Sequence, residues 1–282
     1  IPPCLAAVDP WINETATDNR YACVSGDDNF PDMFIGRLPV NTSAEASTVV
    51  DKILDYEQSP AAGDWNGQVL FVADNPDSGG DFDVFSDAIA DHYLPPPYSA
   101  QKVYYKVTHG TTAAAKAAIL DAINEGKLLV NYIGHASYQW WATEWLLHVN
   151  DLPSLTNGQR LPMMVPMTCY DGFFHAPGIP SLGESVVRIP GGGAIASWSP
   201  TGLGLSMGHD YLNKGLYEAI FFDRVARIGP ATTQAKLHLY SHTAEYRDLL
   251  DTYLLFGDPA LRLNVVPPHR LWLPLITKER TL

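Results

Sequence analysis

Basic residues are scarce in this chain. Eighteen Lys and Arg stand against 31 Asp and Glu, for a net charge of −13 and a pI near 4.9. Phosphate binding needs clustered Lys and Arg, so a nucleic-acid partner is excluded. The surplus of carboxylates fits a surface kept soluble by self-repulsion, or one that holds calcium. Cysteine is scarcer still. With only Cys4, Cys23 and Cys169 in 282 residues, a disulfide scaffold is ruled out. Pairing of Cys4 with Cys23 would leave Cys169 as either an inert buried residue or a reactive thiol. No apolar run reaches the ~18 residues needed to cross a bilayer. The chain opens on Ile1-Pro2-Pro3-Cys4 and not on Met, which reads as a fragment or a processed product with any export signal upstream. Charged residues are only 17% against 46% hydrophobic, so a sizeable core is expected, in one large domain or two small ones.

What is there is an alternation of apolar strands and amphipathic helices. The first forty residues are turn-rich, with short strands expected at 20–24 and 33–35. Thr42-Ser43-Ala44-Glu45 is a capping box, predicting a helix to about Gln58 with Val49, Ile53 and Tyr56 on one face. Strands are expected at 69–73, 103–107, 128–133, 163–168, 193–198 and 254–256. Helices are expected at 82–93, 111–125, 181–189, 209–222 and 230–246, the third opened by a second capping box, Ser181 to Glu184. This order argues for a largely parallel sheet covered on both faces, whose ligands bind beyond the carboxyl ends of the strands. Residues 265–282, with Pro267-Pro268 and an apolar stretch, read as a linker or tail.

Two chemically active residues stand at such strand ends. His135 closes Leu128-Leu129-Val130-Asn131-Tyr132-Ile133-Gly134, and Cys169 closes Met163-Met164-Val165-Pro166-Met167-Thr168. A nucleophile and a base at the ends of successive strands would face one crevice. An imidazole can ionise a thiol, the thiolate can attack a peptide carbonyl, and the imidazolium can protonate the leaving amine. Backbone N–H groups of Ala136 and Cys169 could form the oxyanion hole. The bland alternative for His135 is a core histidine satisfied by hydrogen bonds.

These segments resemble the gingipain family of cysteine peptidases, in the caspase-like clan. Asn131-Tyr132-Ile133-Gly134-His135-Ala136-Ser137 is similar to the family's histidine motif, and Cys169 with Gly172-Phe173 to its nucleophile segment. Thr17-Asp18-Asn19-Arg20-Tyr21, Gly26-Asp27 and Phe34-Ile35-Gly36-Arg37 resemble the entry to the catalytic subdomain. Ser181 to Val187 resembles the helix after the nucleophile, and Phe256-Gly257-Asp258-Pro259-Ala260-Leu261 the closing segment. The resemblance implies a caspase-like three-layer α/β/α sandwich over residues 1–264, lacking an upstream subdomain. It also implies an extracellular or cell-surface endopeptidase acting on protein or peptide substrates, cleaving after basic residues, with no cofactor needed for catalysis. The family's Gly after the histidine is Ala136 here, which leaves a catalytically incompetent binding domain as the second reading.

The loop Asp74-Asn75-Pro76-Asp77-Ser78-Gly79-Gly80-Asp81-Phe82-Asp83 supplies the remaining carboxylates. By the resemblance, Asp74 or Asp77 would orient the histidine, while Asp81 or Asp83 would select a basic side chain, with Trp198 bordering the same pocket. A solvated turn or a structural calcium loop is the competing reading. Two other chemistries compete. Gly204-Leu205-Ser206-Met207-Gly208 fits the serine-hydrolase elbow, with Asp251 and His269 completing the order. However, Ser199-Pro200-Thr201-Gly202 separates Ser206 from the preceding strand, which a tight elbow does not allow. His135, Cys169 and His175 are zinc ligands by type only, with no H-E-x-x-H or C-x-x-C spacing, so no metal ligand is assigned. His92, His109, His148, His209, His238 and His242 are read as surface or structural.

Overall fold

The structure, a computed structural model, describes residues 1–266. The elements run β1 (Leu5–Asp9), β2 (Asn13–Ala16), α1 (Ser43–Gln58), β3 (Gln68–Ala73), α2 (Phe82–His92), β4 (Ser99–Tyr104), α3 (Thr112–Glu125) and β5 (Leu129–Ile133). They continue through β6 (Trp140–Trp141), β7 (Leu147–His148), β8 (Met163–Met167), α4 (Leu182–Arg188), β9 (Ala196–Pro200), α5 (Ser206–Tyr217), α6 (Ile228–His242), α7 (Asp248–Thr252) and β10 (Tyr253–Phe256). Six strands form the central sheet in the order β10-β9-β8-β5-β3-β4. Five run parallel and β10 is antiparallel at one edge.

Strands β3, β8 and β10 read as largely apolar runs because both faces are covered, whereas the edge strand β4, expected at 103–107, lies at Ser99–Tyr104 with its first half exposed. Val69, Phe71 and Ala73 of β3 point into one core with Phe82 and Ile89 of α2, Leu212 and Leu216 of α5, and Ala235 and Leu239 of α6. Leu70 and Val72 point the other way, to Val49 of α1, Ile119 and Ile123 of α3, and Val186 of α4. That period of two is what a strand buried on both faces requires. One polar pair interrupts it. Asn131 of β5 and Asn213 of α5 exchange hydrogen bonds of 3.0 and 3.1 Å, so both buried amides are satisfied.

Both capping boxes form. The Thr42 hydroxyl accepts from the Glu45 N–H, and the Glu45 carboxylate accepts from the Thr42 N–H. Ser181 and Glu184 do the same at α4. Such a cap is worth about 1 kcal/mol.

The N-terminal forty residues depart from expectation. Segment 20–24 is not a strand; a short 3₁₀ helix, Asp18–Ala22, lies there instead. Its charged side chains are drawn inward, Arg20 bidentate to Asp251 at 2.5 and 2.8 Å and Asp18 to Arg37 at 2.5 Å. Segment 33–35 forms no strand, and only Arg37 makes a single bridge, to Phe256 at the β10 edge. The β1–β2 hairpin was not expected. Cys4 and Cys23 are free thiols. At the other end the tail reading begins too early, because Val265 packs against the core and the Val266 N–H donates to the Tyr98 hydroxyl at 3.0 Å. The rest of that segment, with His269, lies outside the described residues.

Candidate active site

β5 and β8 are adjacent and parallel, in register from Leu129↔Met163 to Ile133↔Met167. Two residues further on along each strand stand His135 and Cys169. The Thr168 hydroxyl donates to the Gly134 carbonyl at 2.6 Å and holds the two exits side by side. Position 134 must be glycine, since a Cβ there would collide with the Asp74 Cβ and the Tyr132 hydroxyl. The backbone of His135 is fixed from both sides. Its N–H donates to Asp74 at 3.3 Å, and its carbonyl accepts from the Tyr132 hydroxyl at 2.5 Å. Trp141 stacks on Tyr132 with centroids 4.4 Å apart and rings 6° from parallel. The Trp141 indole N–H then donates to Asp171 at 2.8 Å, two residues after Cys169.

The imidazole is half-exposed, and Phe82 packs against its face edge-on at 5.3 Å. Nε2 lies 3.0 Å from Asp77 Oδ2. A carboxylate accepts only, so Asp77 fixes the proton on Nε2 and leaves the lone pair on Nδ1. Nδ1 has no partner among the described residues and is free to take a proton. The two candidate acids thus divide the work: Asp74 holds the backbone and Asp77 the ring. Burial raises the Asp74 carboxyl above its ordinary range.

Cys169 is followed by Tyr170 in the left-handed region, φ 59°. That conformation costs a non-glycine residue about 1–2 kcal/mol and is typical of a residue that re-aims its neighbours. The thiol donates to the Gly204 carbonyl at 3.6 Å and is not bonded to the imidazole. Burial pushes the thiol up, so it rests protonated. The N–H groups of Ala136 and Cys169 have no partner among the described residues. Ala136 pairs with Trp141 through the bonds of its neighbours, which aims its own N–H the other way. Ala136 is not in the left-handed region, so its Cβ carries no strain.

The β1–β2 hairpin supports the loop 201–204 that lies against Cys169, a role sequence reasoning missed. The Thr15 hydroxyl donates to the Thr201 carbonyl at 2.7 Å. Asp9 accepts from the Leu203 N–H at 2.7 Å. The loop in turn accepts the Tyr170 N–H at Gly202 and the thiol at Gly204. Only the turn chemistry of Asp9-Pro10 hinted at it in the sequence.

Other expectations need correction. Trp198 is buried in the core on β9, 5.0 Å from Tyr253, and the small cavity it lines, about 20 Å³ beside Asn19, Thr232 and Lys236, includes neither His135 nor Cys169. Alternation along β9 turns its ring under the sheet. Asp81 is exposed at the start of α2 and Asp83 is partly buried, with one carboxylate oxygen buried and unpartnered. Ser206 opens α5 beyond a loop from β9, and its hydroxyl donates to the Gly79 carbonyl at 2.7 Å. A serine elbow is therefore not formed. His175 packs at 3.9 Å on Phe173, and among the described residues no three His, Cys, Asp or Glu gather to hold a metal ion. The loop acids Asp74 and Asp77 turn to His135 and to backbone N–H groups instead.

The model of peptidase family C25 matches residues 1–264. The chain belongs to that family. Gingipain R1 of Porphyromonas gingivalis is 28% identical, the match covering 94% of this chain and 27% of that protein. Gingipain R2 of strain W83 is also 28% identical, over 94% of this chain and 37% of its own length. The chain therefore spans between a quarter and two-fifths of these C25 relatives. The crystal structure of the Arg-specific cysteine proteinase gingipain R superposes with a TM-score of 0.74 at 27% identity, covering 88% of this chain and 60% of that one. A complex of gingipain RgpB pro- and mature domains gives 0.76 at 24% identity, a likeness of fold. The C25 chain thus has the caspase-like α/β/α sandwich, with its sheet, helices and strand-end crevice as described.

Proposed function

We propose that residues 1–264 form a cysteine endopeptidase domain, with His135 as general base and Cys169 as nucleophile. One observation carries the reading: His135 and Cys169 leave adjacent, in-register parallel strands beside two N–H groups that have no partner among the described residues. In the resting site the thiol is held by Gly204. A substrate carbonyl entering between Ala136 and Cys169 would draw the sulfur toward Nδ1, consistent with catalytic bonds that tighten only on substrate binding. Nδ1 takes the thiol proton, and sulfur attacks the carbonyl carbon. The oxyanion accepts from the Ala136 and Cys169 N–H groups. The imidazolium, steadied by Asp77, then protonates the departing amine, and water releases the acyl group by the reverse transfer. No step needs a cofactor.

The family likeness favours cleavage after Arg or Lys, and Asp81, exposed at the start of α2 beside the His135 loop, is the acid we assign to it. It also favours an extracellular or cell-surface setting. A thiol alkylator should label Cys169 and abolish hydrolysis of a casein substrate. The Cys169→Ala variant should be inactive while remaining folded, and full activity in it would sink the dyad. Digestion of a peptide library should yield new carboxyl termini at Arg and Lys, whereas apolar termini would remove the role given to Asp81.

A further inference from the structure

The G-x-S-x-G segment has no elbow, yet its serine reaches the catalytic loop. From this contact we infer that Ser206 is a positioning residue for the base, acting through the Asp77 turn. The inference rests on the dyad reading above.

The turn is short and tightly held. Asp77 and Gly80 exchange backbone hydrogen bonds of 3.2 Å, and the Gly79 N–H donates to Asp77 Oδ1 at 2.7 Å. Gly79 lies flush against the ring, because a Cβ on it would sit 3.0 Å from both Cε1 and Nε2 of His135. The turn is mostly exposed, so water competes with its internal bonds. Besides the contact of Asp77 with His135 Nε2, Ser206 adds the one hydrogen bond to the turn from outside it seen among the described residues, its hydroxyl donating 2.7 Å to the Gly79 carbonyl. That carbonyl belongs to the peptide next to the N–H that fixes the Asp77 carboxylate. Pulling on one end of Gly79 therefore sets where the carboxylate meets Nε2.

The same loop also holds the nucleophile. Gly204, two residues before Ser206, accepts the Cys169 thiol. Position 204 excludes any side chain, because a Cβ would strike His209, and a Cβ on Gly208 would come within 2.7 Å of Leu249 and 2.8 Å of Tyr246. Gly204 thus lets the loop lie close on α5, and Gly208 lets α5 lie close on α7. The serine between them spans from the nucleophile's side of the crevice to the base's side. The motif thus ties base to nucleophile rather than supplying a nucleophile of its own.

A double-mutant cycle on peptide hydrolysis tests this. Ser206→Ala should lower kcat about 3–10-fold, the effect of one neutral hydrogen bond, with KM unchanged. Ser206→Thr, which keeps the hydroxyl, should restore at least half of the loss. Asp77→Ala should cost more, about 10–100-fold, and adding Ser206→Ala to it should change nothing further. Thermal unfolding midpoints of all variants show whether each stays folded. Additive losses, a fall confined to KM, or unchanged kcat in Ser206→Ala would overturn the inference. Complete loss in Ser206→Ala with labelling by a serine-directed organophosphate would overturn it too. Activity surviving Cys169→Ala would instead strike the dyad itself, so the two failures are told apart.

Discussion

Replacing Asp171 by Asn should change how stability depends on pH, and the size follows from the site. The Asp171 side chain is 1% exposed. It accepts the Trp141 indole N–H and the Ser199 hydroxyl, each at 2.8 Å, and no cation pairs with it among the described residues. Burial outweighs those two bonds and raises its carboxyl from an ordinary 3.8 to about 6. Between these values the folded chain binds more protons at Asp171 than the unfolded chain does. Its contribution is therefore fully favourable below pH 4 and is lost as pH rises through 6. At about 1.4 kcal/mol per pH unit, the loss is on the order of 3 kcal/mol. Asn keeps the shape and has no charge to bury. Its oxygen can accept from Trp141 and its amide can donate to Ser199, at a cost of about 1 kcal/mol for one hydroxyl hydrogen left without an acceptor. That offset is the same at every pH. Urea unfolding of both proteins from pH 4 to 7.5 should show the stability difference moving in favour of Asp171→Asn by about 2–3 kcal/mol, most of it between pH 4.5 and 6.5. All other carboxylates cancel in that difference. A flat difference, or one of opposite slope, would mean that Asp171 is ionised in the fold at little cost, and the burial argument would fail.

Alkylation of Cys169 by iodoacetamide should depend on His135. Burial holds the thiol protonated at neutral pH, so His135→Ala should slow labelling at pH 7 by about 10-fold or more and recover it above pH 9. Equal rates at pH 7 would mean that the imidazole does not draw the proton. Trp141→Phe keeps a ring on Tyr132 but leaves Asp171 Oδ1 buried and unpaired. It should cost about 1–3 kcal/mol in urea unfolding at pH 7, and less at pH 4.5 where Asp171 is protonated.

How much of this was legible in the sequence depends on the kind of signal each part carries. The central strands β3, β5 and β8 were legible because each is a largely apolar run between turn formers, as burial on both faces demands, whereas the edge strand β4, half exposed with a polar first half, was placed four residues late. The helices with capping boxes were legible because Thr42, Glu45, Ser181 and Glu184 signal through contacts three residues apart. The β1–β2 hairpin was not. Its strands are held by long-range partners, Thr15 to Thr201 and Asp9 to Leu203, which no local pattern reveals. The 3₁₀ turn at Asp18–Ala22 was misread for the same reason, since Asp251 and Arg37 decide its form. Trp198 failed differently. Its position after a strand suggested a pocket wall, but the pleat of β9 sends residues 197 and 199 to one face and 198 to the other. Ser199 therefore reaches Asp171 while Trp198 turns into the opposite core.

The acids around His135 show where sequence reasoning has to stop and why. Asp74 and Asp77 are the same residue type, three positions apart, and either could reach an imidazole. Their separation comes from strand register alone. β3 lies beside β5 with Ala73 opposite Ile133, so residue 74 must fall next to the backbone of residues 134 and 135. A carboxylate there is too close to the main chain to face the ring, and it caps the N–H. The ring, two bonds further out, needs a partner that the chain brings back, and the Asp77 turn folds onto it with Gly79 against its edge. The neighbour of β5 is not its predecessor in the chain, because β4 lies at the sheet edge beyond β3. The roles of the two acids are thus fixed by strand order, a property of the whole sheet that no stretch of the loop contains.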